Sequence, residues 1–147
     1  AWQQDAFDGA LATYLHMRED VAATRYEQIA ARCRAAGVNV FGFVPLTGGE
    51  DGSLERVTSL LDLGLAPVPS SGAGAEPVTR RKQLLRDGAQ LIAHGHPASH
   101  PSGEDFISRI LACRDAGADG FGCYNYGLVR PAHLEWVRRA IDAWRGA

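Results

Sequence analysis

The densest group of side chains able to do chemistry is His94-Gly95-His96, followed four residues later by His100. Alternation along an extended segment turns the first two imidazoles to one face, where they suit a divalent metal, with His100 as a third ligand. The same imidazoles suit hydrogen bonding to a polar substrate or proton transfer. They also suit a purely structural task, tying a loop down through backbone groups. Spacing alone leaves these readings open.

Three further segments carry polar chemistry. Tyr124-Asn125-Tyr126-Gly127 closes a predicted strand; the amide of Asn125 donates and accepts to a sugar hydroxyl, and the two tyrosines add flat apolar surface with a polar tip. The alternative is that their rings pack under the last helix. Glu50 and Asp51 are the only carboxylates in a predicted strand-end loop. One of them serves as general acid or base, or both decorate a helix N-terminus, where the dipole favours them. Ser71-Gly72-Ala73-Gly74 offers a hydroxyl and backbone amides to an anion, without the spacing of a nucleotide loop. The resulting candidate set is Glu50 and His94 for catalysis, with His96, Tyr124, Asn125, Tyr126 and Ser71 for substrate. His94, His96 and His100 would hold a metal if one is bound; no other cofactor is expected. Cys123 has no histidine arranged to activate it.

These residues need a frame, and a repeat supplies it. Cys33-Arg34-Ala35-Ala36-Gly37-Val38-Asn39-Val40-Phe41-Gly42-Phe43 returns as Cys113-Arg114-Asp115-Ala116-Gly117-Ala118-Asp119-Gly120-Phe121-Gly122-Cys123. Each copy reads as a helix end, a glycine stop and a short buried strand. The apolar spacing predicts a leading helix over 5–36, with a break. Strands follow from 38, 65, 90 and 119, with Gly64 stopping the helix that Ser53 caps. Pro77 suits the first turn of the next helix, and Ser102 with Asp105 starts another. Strand starts separated by about 25 to 30 residues fit successive βα units. The expected fold is therefore α/β, a single domain over 1–147. Four parallel βα units after a leading helix make half of a (βα)8 TIM barrel; the alternative is an open flavodoxin-like sheet. Four strands cannot close such a barrel, so either a homodimer or a missing N-terminal half-barrel is expected to cover the open edges.

Bulk properties narrow the partners. A formal net charge of -2 over 147 residues speaks against nucleic acid and anionic membrane surfaces. Three cysteines without close pairs do not form a disulfide framework. No run of 18 apolar residues and no signal-peptide pattern is visible, which leads to an expectation of a cytoplasmic protein acting on a small molecule.

The segment Ala116-Gly117-Ala118-Asp119-Gly120-Phe121-Gly122-Cys123-Tyr124-Asn125-Tyr126-Gly127-Leu128 resembles the C-terminal portion of bacterial TIM-barrel proteins of the glycoside-hydrolase-like kind. There, a helix ending in Ala-Gly-Ala leads into a strand and a Tyr-x-Tyr-Gly-like end. Tyr14-Leu15-His16-Met17-Arg18 is similar to the middle of such barrels. The resemblance implies a carbohydrate-active or hydrolase-like segment binding a small polar substrate such as a sugar at the strand C-terminal ends. It also implies a carboxylate pair, one member on the fourth strand of the barrel, and no such pair is assignable in this chain. Two alternatives stand beside it: a non-catalytic half-barrel that completes a barrel with a second chain, and a metal-dependent enzyme using His94, His96 and His100.

Overall fold

A computed structural model describes residues 9–44, 53–69, 74–123 and 129–146. Helix α1 (Gly9–Ala35) leads, and β1 (Phe41–Phe43), α2 (Ser53–Thr58), β2 (Leu63–Pro67) and α3 (Glu76–Leu84) follow. The chain continues through β3 (Gln90–Gly95), α4 (Gly103–Asp115), β4 (Gly120–Cys123) and α5 (Pro131–Gly146), with a 3-10 turn at Pro97–Ser99. The protein is α/β: the four strands form one sheet in the order β1-β2-β3-β4, every pair parallel.

The repeat becomes two matching helix ends. Val38 N–H donates to the Cys33 carbonyl at 2.8 Å, and Gly37 N–H to Arg34 at 3.0 Å. In the second copy Ala118 donates to Cys113 at 3.0 Å and Gly117 to Arg114 at 2.9 Å. Both are Schellman closures, and they need a left-handed residue after the last helical turn. Gly37 and Gly117 supply it, with φ of 70° and 98°. Helix α1 runs without the expected break, because no Gly or Pro interrupts residues 10 to 36.

The second unit differs from the sequence reading. Helix α2 ends at Thr58, and Gly64 is not its stop but the second residue of β2, paired with Gly42 on one side and Leu91 on the other. A close approach requires glycine here. A Cβ on Gly64 would lie 2.7 Å from Val44 Cγ2 and 3.0 Å from Leu85 Cδ2.

Strand alternation gives the sheet two unequal faces. One carries Gly42, Gly64, Ala66, Leu91, Ala93 and Phe121. Ala66, Leu91 and Ala93 are fully buried in a core shared with Val78 of α3 and Cys113 of α4, against which Trp144 of α5 packs. The Phe121 and Trp144 rings sit 5.4 Å apart. Small strand residues let the helices approach closely on this face. The opposite face carries Phe41, Phe43, Leu65, Ile92 and His94. It lacks comparable cover among the described residues: Phe41 is 70% and Phe43 63% exposed.

Gly64→Ala is expected to lower stability by about 1–3 kcal/mol, because Val44 is β-branched and cannot move aside without backbone adjustment. Urea unfolding checks this; an unchanged midpoint would show that the β1–β2 contact is looser than described.

Candidate functional site

In parallel sheets ligands meet the C-terminal strand ends. His94 stands there, on central strand β3, beside Pro67 of β2 and Gly122 of β4. It shares the uncovered face with Phe43, whose ring lies 5.6 Å from the imidazole in an edge-on arrangement. This is the sequence-predicted residue that the fold puts at a strand end on that face, half-buried and with both ring nitrogens shielded from solvent.

The other two histidines turn to local tasks. His96 follows the strand, and its Nδ1 accepts from the Ala98 amide at 3.2 Å, capping the 3-10 turn. His100 is buried, its side chain only 4% exposed, and its Nδ1 pairs with Asp105 Oδ2 at 2.8 Å. Its ring packs on Phe106 at 5.2 Å. Asp105 in turn lies 3.6 Å from Arg109 Nε, and its amide donates to Ser102, the cap of α4. The loop after β3 is thus fastened to α4 through His100. Among the described residues no three His, Cys, Asp or Glu side chains are grouped to hold a metal ion. Glu50, Ser71, Tyr124, Asn125 and Tyr126 lie outside the described residues.

Burial pushes the Cys123 thiol up, and pushes Cys113 up to about 11, so neither is set up as a thiolate nucleophile. All three cysteines are free.

Sequence reasoning missed one residue near the strand ends. Arg81 of α3 is 5% exposed, and its Nε donates to the Val44 carbonyl, just past β1, at 2.6 Å. Desolvation lowers its pKa. Among the described residues it has no carboxylate partner. It reads in sequence as one of three consecutive basic residues on an ordinary helix, and only the fold shows it turned inward.

Two aspartates at the opposite, N-terminal ends of the strands were also missed. Asp62 Oδ2 accepts from Val40 N–H at 2.7 Å, and its other oxygen meets the Arg86 guanidinium. Asp119 Oδ2 accepts from Leu91 N–H and from Lys82 Nζ, both at 2.6 Å. Each clamps the start of a strand to its neighbour. The Val40 amide and then Arg86 hold the Asp62 carboxyl below its usual range. Burial raises the Asp119 carboxyl, but Lys82 and the Leu91 amide outweigh it, and the net direction is down.

No family model matches the chain, and no curated protein matches it either. Among the described residues no helix is long and apolar enough to cross a membrane.

The two aspartates set an acid limit. Carboxyls held below their ordinary value near 3.8 favour the folded state when ionised. That contribution is present above about pH 4 and is lost as pH falls through the folded values. Melting temperature should therefore drop with pH in the acid range. Asp62→Asn and Asp119→Asn should start lower at neutral pH and flatten the drop. A double variant with the wild-type acid limb would contradict the clamp.

Proposed function

We propose that this chain is half of a (βα)8 barrel, four βα units that bind a small polar substrate, a sugar, at the C-terminal ends of their strands. The reading is that of a carbohydrate-active, hydrolase-like segment. Its main support is the placement of His94 at the end of a central strand, on the face that α3, α4 and α5 leave open. Sequential strand order with those three helices on one face also supports it, since a doubly wound sheet reverses order and carries helices on both faces.

In this reading the uncovered face is the inner wall of a barrel. His94 stands beside Phe43 with both ring nitrogens shielded from solvent, and in this reading the substrate takes the place of what shields them and exchanges a proton or hydrogen bond with the imidazole. Glu50 is the acid or base on the loop after β1. His96, Tyr124, Asn125, Tyr126 and Ser71 orient hydroxyl groups from the neighbouring strand-end loops. Arg81, behind the end of β1, holds the Val44 carbonyl and so fixes where that loop departs.

One observation favours a binding role without hydrolysis. The loops after β2, β3 and β4, residues 68–75, 96–102 and 124–130, contain no Asp or Glu. Glycoside hydrolysis needs two carboxylates flanking the scissile bond, and the two that this chain offers, Glu50 and Asp51, are neighbours on the one loop after β1, which favours binding by the chain alone without cleavage.

Saturation-transfer NMR with glucose, galactose and xylose tests the site. Binding of at least one sugar is expected, weakened about tenfold or more in both His94→Ala and Asn125→Ala, the size of a lost hydrogen bond to a polar ligand. Absence of binding by all three, or binding unchanged in both variants, would contradict the reading. Release of free sugar from a nitrophenyl glycoside by the chain alone would decide for hydrolysis over binding.

A further inference from the structure

Four strands carry five helices among the described residues, and the surplus helix is α1. In a right-handed βαβ unit the strand before a crossover helix lies beside the strand after it. The strand that belongs with α1 would therefore sit against β1, on the side away from β2. Among the described residues nothing pairs there.

The structure has a place for it. Val44 N–H donates to the Leu65 carbonyl at 2.9 Å, so alternation along the ladder turns the N–H and C=O groups of Phe41 and Phe43 outward, toward that position. A groove of about 350 Å³ runs between α1 and β1, with Tyr26 and Ile29 on the helix wall, Phe41 and Phe43 on the strand wall, and Leu60 and Leu61 at the α2 end. Every large apolar side chain that stays exposed among the described residues falls between Tyr14 and Phe43. None comes from the β4 end. Tyr26, Ile29, Phe41 and Phe43, each 53–70% exposed, leave on the order of 450 Å² of apolar side chain around the groove, well short of the ~800 Å² per partner of a stable protein–protein interface. That area suits one strand better than a second globular copy.

We propose that the edge of β1 beneath α1 is a strand-accepting groove: it takes an extended polypeptide segment running parallel to β1, with apolar side chains at alternate positions, and with no helix of its own. The proposal deepens the half-barrel reading and rests on it, by naming what completes the open edge. The occupant carries no helix because α1 already fills that part of the helix layer. For the same reason two copies of this chain do not close head-to-tail. An eight-stranded barrel has room for eight helices, and two copies bring ten, with α5 of one and α1 of the other over the same pair of strands. Main-chain hydrogen bonds to Phe41 and Phe43 would supply affinity, and the wall made by Tyr26 and Ile29 would select apolar side chains.

The test uses the full 147-residue chain and a synthetic peptide with the sequence of residues 89–95, Ala-Gln-Leu-Ile-Ala-His-Gly, the protein's own central strand, which already pairs in parallel on both sides. Amide exchange is followed by NMR, with light scattering for mass. Millimolar peptide is expected to slow exchange at Phe41 and Phe43 at least tenfold and to leave Gly120 and Gly122 unchanged. Phe43→Pro removes an outward N–H without touching the ladder to β2, and Tyr26→Asp spoils the helix wall; both should abolish the effect while the circular dichroism spectrum stays native. Protection at both edges without peptide, in a particle of doubled mass, would overturn the groove and leave the half-barrel standing, closed by a second copy. A monomer in which the peptide protects neither edge would overturn the groove and take the half-barrel reading with it. Equal protection of both edges by the peptide would reduce the effect to nonspecific edge pairing and overturn the proposal.

Discussion

A parallel sheet that, among the described residues, carries helices on one face only is the constraint from which the rest of this structure follows. Each strand must be thin where the helices press and is left apolar where they do not. Gly42, Gly64, Ala66 and Ala93 meet the first demand, and the Gly64 contact with Val44 and Leu85 shows how little room remains. Phe41, Phe43, Leu65 and Ile92 are the result of the second. In an isolated four-stranded sheet such a face costs solubility; as the wall of a barrel it is ordinary.

The ends of the strands divide the labour. At the N-terminal ends, Asp62 and Asp119 fasten neighbouring strands through backbone amides and a basic partner each. These contacts hold register. At the C-terminal ends, His94 packs beside Phe43 with its ring nitrogens buried, Arg81 secures the departure of one loop, and His100 with Asp105 secures another. A rigid base and polar, loop-borne ends are the arrangement that lets a βα array position a ligand.

The order of elements was legible in the sequence because its signals are local. The two glycine stops, the Ser102 cap and the apolar runs report short-range geometry, and the structure realises them at Gly37, Gly117 and Ser102. Gly64 misled because a glycine after a helical pattern looks like a stop, whereas its real role is steric and depends on Val44 and Leu85, far away in sequence. The inward turn of Arg81 and the clamps of Asp62 and Asp119 were illegible for the same reason: each depends on a partner at least 22 residues away. For the histidines, spacing raised several roles but could not choose among them, since the choice depends on where β3 ends. It ends at Gly95, which leaves His94 on the sheet and gives His96 and His100 to the loop.

The central claim is that, among the described residues, nothing pairs with the outer edges of β1 and β4, so the interior pair of strands is fixed and the outer pair half satisfied. Native-state hydrogen exchange on the chain alone measures this residue by residue. Slow exchange at Leu65, Leu91 and Ala93, with fast exchange at Phe41, Phe43, Gly120 and Gly122, is the predicted pattern. Protection of those four outward amides equal to that of β3 would mean the edges are already paired, and the open-sheet account would be wrong.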